Sequence, residues 1–467
     1  MTEMRRVMAA CLVALAAATW PFAALAHEAA GGFILLMPTE IYILGASLAV
    51  LASFLILAVV PAERFHSLYK READQTVDVR PGNGQVIVSC LSFLFTLFLL
   101  YAGLAGKDDP LTNPITLGVW TLGWIVMSAV AAIFGNLWPW LNPWTGILTV
   151  LGLGQKPVLT LPAQLGHGIA IAQMFYLIWV DLISIHATDP EALFVHLIWF
   201  LGLNGLGMVL FGMADWTRRA EPLHVLYHAL SVVSPVVLSS DGWRLVLPGA
   251  AALMRPVLSL SAAGFIILML AAGTFDGVVS TFKWLGFLGV NPLDFHGRST
   301  VIGPNTLGLI VGVCLLATVF SFALWLGERI ARTDVPLRTL IGRFAYTLLP
   351  IYVAYMLSHF ATRLIMDAQY LWVVISDPLG HGWDLFGTAH SHVTQSMFNT
   401  EAGVHTLWAF QTIVITLGHI VAVLMAHGIA LETHETPRKA VLSQIPLAFF
   451  MVFYTSLGLW LLASPRI

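Results

Sequence analysis

Histidine and carboxylate side chains are the groups in this sequence whose types could do chemistry. The chain holds 16 histidines, although 58% of its residues are hydrophobic and only 10% are charged. Neutral imidazole and carboxylate together suit a divalent transition metal such as zinc, and either group can act as a general acid or base. The most informative of them lie within apolar segments, where a polar side chain is costly and usually faces other helices.

His359 and Asp276 are the strongest candidates for a site. His359 lies inside a predicted span, in Ser358-His359-Phe360 with Arg363 one turn on, and Asp276 lies between the glycines of segment 273–277. Both fall at the outer end or in the outer half of a predicted span, so we expect one outer-facing polar cavity that draws on them as catalytic residues and metal ligands. His419 is predicted to lie deeper and could form the floor of the same cavity. The full set of candidate metal ligands is His359, Asp276, His196, Asp181, His405 and His419.

The predicted outer loop 367–403 is a second location that suits a cation. It contains no Lys or Arg, so no positive charge opposes a metal ion there. Its histidines and acids are His381, His390, His392, Asp367, Asp377, Asp384 and Glu401. The alternative is that the loop histidines share no site, and that those inside spans only bond neighbouring helices.

The elements that must position these groups are membrane-spanning helices. Apolar runs of about 20 residues, the length that crosses a bilayer, recur along the chain. Backbone groups in lipid must be satisfied internally, which favours helices. The pattern predicts an all-α polytopic transmembrane helix bundle in a single domain, 27–467, with 223–248 interfacial or re-entrant. The ten predicted spans are 33–60, 85–105, 114–135, 162–184, 191–213, 257–275, 301–327, 344–366, 404–428 and 442–463.

The N-terminal residues predict a secretory signal peptide over 1–26. Arg5 and Arg6 precede an apolar core, and Ala24-Leu25-Ala26 is a small-x-small cleavage motif. Cleavage would leave His27 as the mature N-terminus, and the alternative is a retained first helix. The three cysteines form no disulfide framework or zinc motif.

The distribution of Lys and Arg predicts the orientation. With residue 27 outside, the segments predicted to be inside hold 15 Lys and Arg and those outside hold 4. This asymmetry follows the positive-inside rule. It predicts a multi-pass membrane protein with its mature N-terminus outside, and we expect the bacterial inner membrane with that N-terminus in the periplasm.

Several segments, in this order, resemble a family of bacterial membrane proteins identified as fenitrothion hydrolases. The resemblance covers most of the chain and is most specific over 346–462. It brings no known catalytic residues with it, and the histidines of the outer loop are not part of its pattern. The matching stretches are Asn142-Pro143-Trp144, 273–277, 355–360, 376–380, 382–388, 418–427 and 444–462.

The resemblance implies hydrolysis of an aryl organophosphorus triester, an apolar substrate that partitions into the lipid bilayer. We therefore expect a membrane-bound hydrolase in which a metal-bound hydroxide attacks phosphorus, with the metal zinc or another transition metal. Two alternatives stay open. One is a transporter or channel for a metal ion or small solute, and the other is an assembly or anchor subunit for a periplasmic metalloprotein. A second subunit could be a partner, whereas no basic stretch indicates nucleic acid.

Overall fold

The structure is a computed structural model that describes residues 38–69, 83–239, 242–291, 294 and 297–464. The predicted signal peptide with its cleavage site, His27 and His296 lie outside these residues. In the first half of the chain, the α-helices and one π-helix are α1 Thr39–Val59, α2 Ala62–Tyr69, α3 Asn83–Ala105, α4 Pro114–Thr116, the π-helix Leu117–Val126, α5 Met127–Phe134, α6 Trp138–Leu141, α7 Pro143–Val150, α8 Gly168–Leu182, α9 Pro190–Phe211, α10 Met213–Arg219 and α11 Pro222–Leu230. They continue after a hairpin, β1 Val236–Ser239 and β2 Gly242–Leu245, with α12 Leu260–Val279, α13 Phe282–Phe287, α14 Ile302–Ala331, α15 Leu337–Phe344, α16 Leu349–His359, α17 Ala361–Val374, α18 Glu401–Thr433 and α19 Pro437–Ala463.

The all-α polytopic architecture expected from the sequence is confirmed. In the described part of the chain, nine helical segments are long and apolar enough to cross a membrane. They correspond to nine of the ten predicted spans. The remaining predicted span, 162–184, contains the apolar helix α8, whose 15 residues are fewer than the roughly 20 that a straight span needs.

One predicted span has other bounds in the structure, and the stretch predicted to be interfacial or re-entrant contains a short helix and a hairpin. The span predicted at 344–366 is wrong at both ends, because its helical segment covers Leu337–His359 and breaks at Phe360 before α17 begins. The stretch 223–248 consists of most of α11 followed by the antiparallel hairpin, in which Val236 pairs with Leu245. Its prolines, Pro235 and Pro248, flank the hairpin.

The centre of the bundle is formed by α12 and by the segment Leu337–His359. Their apolar windows are 67% and 83% buried by the protein itself, whereas that of Gly84–Ala105 is only 22% buried. Close helix contacts depend on small residues, as is common in membrane bundles. A Cβ atom on Gly418 of α18, for example, would lie 2.7 Å from the carbonyl oxygen of Pro350.

Three helices end at the same place in the bundle. Helix α12 packs against both α8 and α16. Asp181 is the penultimate residue of α8, Asp276 lies in the last turn of α12, and His359 is the last residue of α16. The convergence of these C-terminal ends brings the three polar side chains to one region, which the charge pattern of the sequence predicts to be the outer end of the bundle.

Candidate acid–base site

His359 connects two other polar side chains through its two ring nitrogens. Its Nε2 atom lies 2.8 Å from Oδ2 of Asp276, and its Nδ1 atom lies 3.0 Å from the hydroxyl of Tyr355. An ionised carboxylate only accepts hydrogen bonds, so Nε2–H donates to Asp276. The Nδ1 atom then accepts the hydrogen bond that the Tyr355 hydroxyl donates. The result is a Tyr355–His359–Asp276 chain of hydrogen bonds.

The local sequence explains how this chain of hydrogen bonds forms. Tyr355 and His359 are four residues apart on α16, on one face of the helix, with ring centroids 5.1 Å apart. A Cβ atom on Gly273 would lie 2.9 Å from Cδ1 of Tyr355, and one on Gly277 would lie 3.0 Å from its hydroxyl oxygen. The glycines on either side of Asp276 therefore leave the space that the Tyr355 ring occupies.

A small cavity lies beside these residues, where α8, α12, α16 and the π-helix meet. Its volume is about 30 Å³, and its polar lining residues are Asp181, Asp276, Tyr352 and Tyr355. One buried water molecule needs about 10–15 Å³ by this measure, so the cavity has room for about two. The rest of its wall is largely apolar and includes Trp124 and Phe360. Water held there would contact acid–base groups in otherwise hydrophobic surroundings.

Asp181 brings a second carboxylate to the cavity. No hydrogen bond from the described residues reaches its carboxylate oxygens, while its backbone carbonyl accepts one from Nη1 of Arg298 at 3.2 Å. Arg298 and Arg363 both act electrostatically on Asp181, as does Asp276. The side chain of Asp181 is therefore available to water or to a ligand in the cavity.

Arg363 and Asp367 form a further ion pair beside the site, on α17. Nε of Arg363 lies 3.3 Å from Oδ2 of Asp367, and the hydroxyl of Thr121 donates a hydrogen bond to the same oxygen. Asp181 and Asp276 line the cavity, Arg298 and Arg363 act on Asp181 electrostatically, and Asp367 pairs with Arg363, so three carboxylates and two guanidinium groups lie at or beside the site. One additional positive charge, such as a proton on His359, balances the group.

The π-helix is a feature that sequence reasoning missed. It replaces α-helical geometry over Leu117–Val126 and carries both Thr121 and Trp124 to the site. The hydroxyl of Tyr227 donates a hydrogen bond to the carbonyl oxygen of Gly123 within this segment. Departures of this kind from α-helical geometry are frequent at functional sites. No sequence signal marked it, because the run reads as an ordinary apolar span.

The other predicted metal ligands lie elsewhere. His196 of α9 forms a hydrogen bond with Tyr176 through Nδ1 at 2.7 Å, and exposed His405 lies 4.0 Å from Glu401. His419 is buried, donates from Nδ1 to the carbonyl of Ile415, and is absent from the cavity wall. These three histidines therefore do not join His359 and Asp276 in one site.

A catalytic zinc needs about three protein ligands around one point. Among the residues that the structure describes, no three His, Cys, Asp or Glu side chains are grouped so that they could hold a metal ion. Nε2 of His359 is already hydrogen-bonded to Asp276. The side chains as arranged do not fit the expected metal centre, and the chemistry proposed below uses only protein groups and water.

Beyond Val374, where α17 ends, the predicted outer loop forms an internally hydrogen-bonded structure. Asp377 accepts hydrogen bonds from the backbone N–H groups of His381 and Gly382, and its carboxylate lies 3.7 Å from Nζ of Lys107. Burial acts to raise the pKa of Asp377, but the hydrogen bonds and the charge of Lys107 outweigh it and lower this pKa. Asp377 therefore has a structural role in the loop.

No family model, curated protein or solved structure matches this chain.

The site combines a histidine oriented by a carboxylate, a tyrosine hydroxyl, a second carboxylate and room for water. Such a set can take a proton from a nucleophile and return it later.

Proposed function

We propose that the chain is a membrane-bound hydrolase of apolar aryl organophosphorus triesters, with His359 as its general base. The proposal is supported by one observation above all: His359 is held between Asp276 and Tyr355, and both of these partners line the same cavity. A base that is oriented by a carboxylate and bonded to a hydroxyl is the arrangement that activates nucleophiles in hydrolases on unrelated folds.

The surrounding charges suit the proton transfer. When Nδ1 of His359 accepts a proton, the imidazolium balances the three carboxylates and two guanidinium groups nearby. His359 is also the last residue of α16, and the C-terminal end of a helix stabilises a positive charge. Attack at phosphorus then expels the aryl oxide, and a nitrophenolate is a good leaving group.

The apolar wall of the cavity suits an apolar substrate. Trp124, Met356 and Phe360 lie beside the carboxylates and could contact the aryl ring. Pockets for small molecules commonly measure roughly 300–1,000 Å³, so the present cavity must widen before a triester enters. Phe360 of the cavity wall lies at the break between α16 and α17.

The direct test is an assay of purified protein in detergent micelles and in lipid vesicles. We expect release of nitrophenol from fenitrothion and from other aryl triesters, at a rate proportional to protein concentration. Elemental analysis of the same sample would show whether a metal accompanies the activity. A folded, monodisperse preparation that releases no nitrophenol from any aryl triester would contradict the proposal.

Proton-coupled transport of a small solute is the second candidate, and the charge count favours it. Counting Asp367, Arg298 and Arg363 beside the site with the two carboxylates of the cavity wall, carboxylates outnumber guanidinium groups by one, and the cavity has room for water. Such a site is neutral when it holds one proton, and intramembrane acids and histidines of this kind are used as proton relays. Proton uptake by vesicles that contain the protein, without triester hydrolysis, would favour this function.

The same proposal places the site at the periplasmic side of the inner membrane. We expect residues 61–84 and 328–343 to face the cytoplasm and 367–403 the periplasm, from the asymmetry of Lys and Arg in the sequence. In a variant with Cys90 and Cys314 replaced by Ser, an impermeant maleimide should label His390→Cys in intact cells. Arg338→Cys should react only after lysis. Both positions are exposed on the protein. Labelling of Arg338→Cys in intact cells would therefore show that the orientation is the opposite of the predicted one.

A further inference from the structure

We propose that Tyr355 is the nucleophile of the reaction and that hydrolysis proceeds through a covalent phosphotyrosyl intermediate. This inference rests on the proposed hydrolase function and specifies how it works. It assigns to Tyr355 the place that serine occupies in a serine–histidine–aspartate triad. Tyrosine is among the side chains that form covalent intermediates in enzymes.

The geometry of Tyr355 is what a nucleophile requires. Its hydroxyl lies 3.0 Å from Nδ1 of His359, which is in turn 2.8 Å from Asp276 through Nε2. Hydrogen bonds therefore connect the nucleophile Tyr355 to the base His359, and His359 to the orienting carboxylate of Asp276. Tyr355 also lines the cavity in which a substrate would meet it.

The other tyrosine of the cavity lacks this arrangement. Tyr352 lines the same cavity, but no hydrogen bond connects its hydroxyl with a histidine among the described residues. The packing of α12 also favours Tyr355 in particular, because Gly273 and Gly277 leave room for its ring and its hydroxyl. A side chain at either glycine would displace the phenol from His359.

The chemical steps balance without a further reactant. In the first step the Tyr355 oxygen forms a bond to phosphorus, its proton moves to Nδ1 of His359, and the bond from phosphorus to the aryl oxygen breaks. The leaving aryl oxide takes up a proton from the medium. In the second step water attacks phosphorus, the bond between phosphorus and the Tyr355 oxygen breaks, and both water protons go to the medium. His359 returns its proton to Tyr355, and the dialkyl phosphate leaves.

The experiment combines rapid-quench kinetics with peptide mass spectrometry, using an aryl diethyl phosphate in excess over the protein. We expect a burst of nitrophenol of about one per protein molecule and a diethylphosphoryl group on the peptide that contains Tyr355. Tyr355→Phe should abolish the burst and the adduct and slow turnover roughly 100-fold or more. Thermal unfolding and gel filtration of the variant check that it remains folded.

Tyr176→Phe is the matched control, because the Tyr176 hydroxyl also contacts a histidine, Nδ1 of His196 at 2.7 Å, outside the cavity. It should retain burst and turnover. Tyr355 is not the nucleophile if Tyr355→Phe keeps full activity while His359→Ala and Asp276→Asn lose it. The same conclusion follows if the wild type hydrolyses the triester with neither burst nor adduct. In both cases the proposed hydrolase function stands. If the wild type releases no nitrophenol at all, the proposed function itself fails.

Discussion

Replacing His359 with Ala is expected to slow triester hydrolysis roughly 100-fold or more, the lower range of what a positioned base contributes. The change removes the acceptor for the Tyr355 proton and leaves Asp276 without the N–H group that it now binds at 2.8 Å. The measurement is steady-state nitrophenol release by purified, folded protein. Because the lost interaction acts on proton transfer, the turnover number should fall more than the apparent affinity for substrate.

Asp276→Asn should have an effect of similar size for a different reason. The amide group of Asn can donate a hydrogen bond to Nε2, which moves the imidazole proton to Nδ1. In that tautomer His359 no longer accepts the hydrogen bond that Tyr355 donates. An equivalent loss occurs when the orienting aspartate of a serine–histidine–aspartate triad is replaced by asparagine.

His186→Ala is the matched control for both variants. His186 lies 3.4 Å from a carboxylate oxygen of Asp189, so it is also one half of a His–Asp pair, but both side chains are exposed and neither lines the cavity. Its rate should stay close to that of the wild type. Should folded His359→Ala and Asp276→Asn retain near-normal rates, the acid–base site would be excluded and attention would move to His381, His390 and His392 of the outer loop.

Membrane depth is the part of the site that the sequence could predict. Hydrophobic runs locate the spans, and their ends place Asp181, Asp276 and His359 at similar depth. Because polar side chains are costly in lipid, they turn toward other helices. Similar membrane depth and the orientation of polar side chains toward other helices are together sufficient to predict that His359 and Asp276 could contact each other.

Rotation about each helix axis is what the sequence could not provide. His196 and His405 also fall in the outer half of their helices, yet they contact Tyr176 and Glu401 away from the cavity. Tyr355 resembles any aromatic residue of an apolar span until its ring is seen against Gly273 and Gly277. Likewise, the π-helix and the break at Phe360 depend on tertiary contacts and leave no mark in the hydrophobic pattern.

Replacing His434 with Ala is expected to destabilise the folded protein by about 3–5 kcal/mol, the usual cost of removing the partner of a buried ionisable group. His434 follows α18, and its Nε2 atom lies 2.6 Å from Oε1 of Glu328 on α14. Its side chain is fully buried, and that of Glu328 is 8% exposed. Alanine would leave the carboxylate with only the hydrogen bonds that Thr333 and Val335 donate to its other oxygen.

The measurement is unfolding by sodium dodecyl sulfate, followed by circular dichroism in mixed micelles. Glu435→Ala is the matched control, because it breaks the Glu435–Lys439 pair, in which the Glu435 side chain is 85% exposed. Exposed pairs contribute about 0–1 kcal/mol, so the unfolding midpoint of Glu435→Ala should barely move.

The contact between His434 and Glu328 joins α14 to the end of α18, at the end of both helices opposite the proposed site. The His434 variant should therefore lose stability while each folded molecule keeps its rate of triester hydrolysis. Equal midpoints for the two variants would show that the buried pair does not hold these helices together.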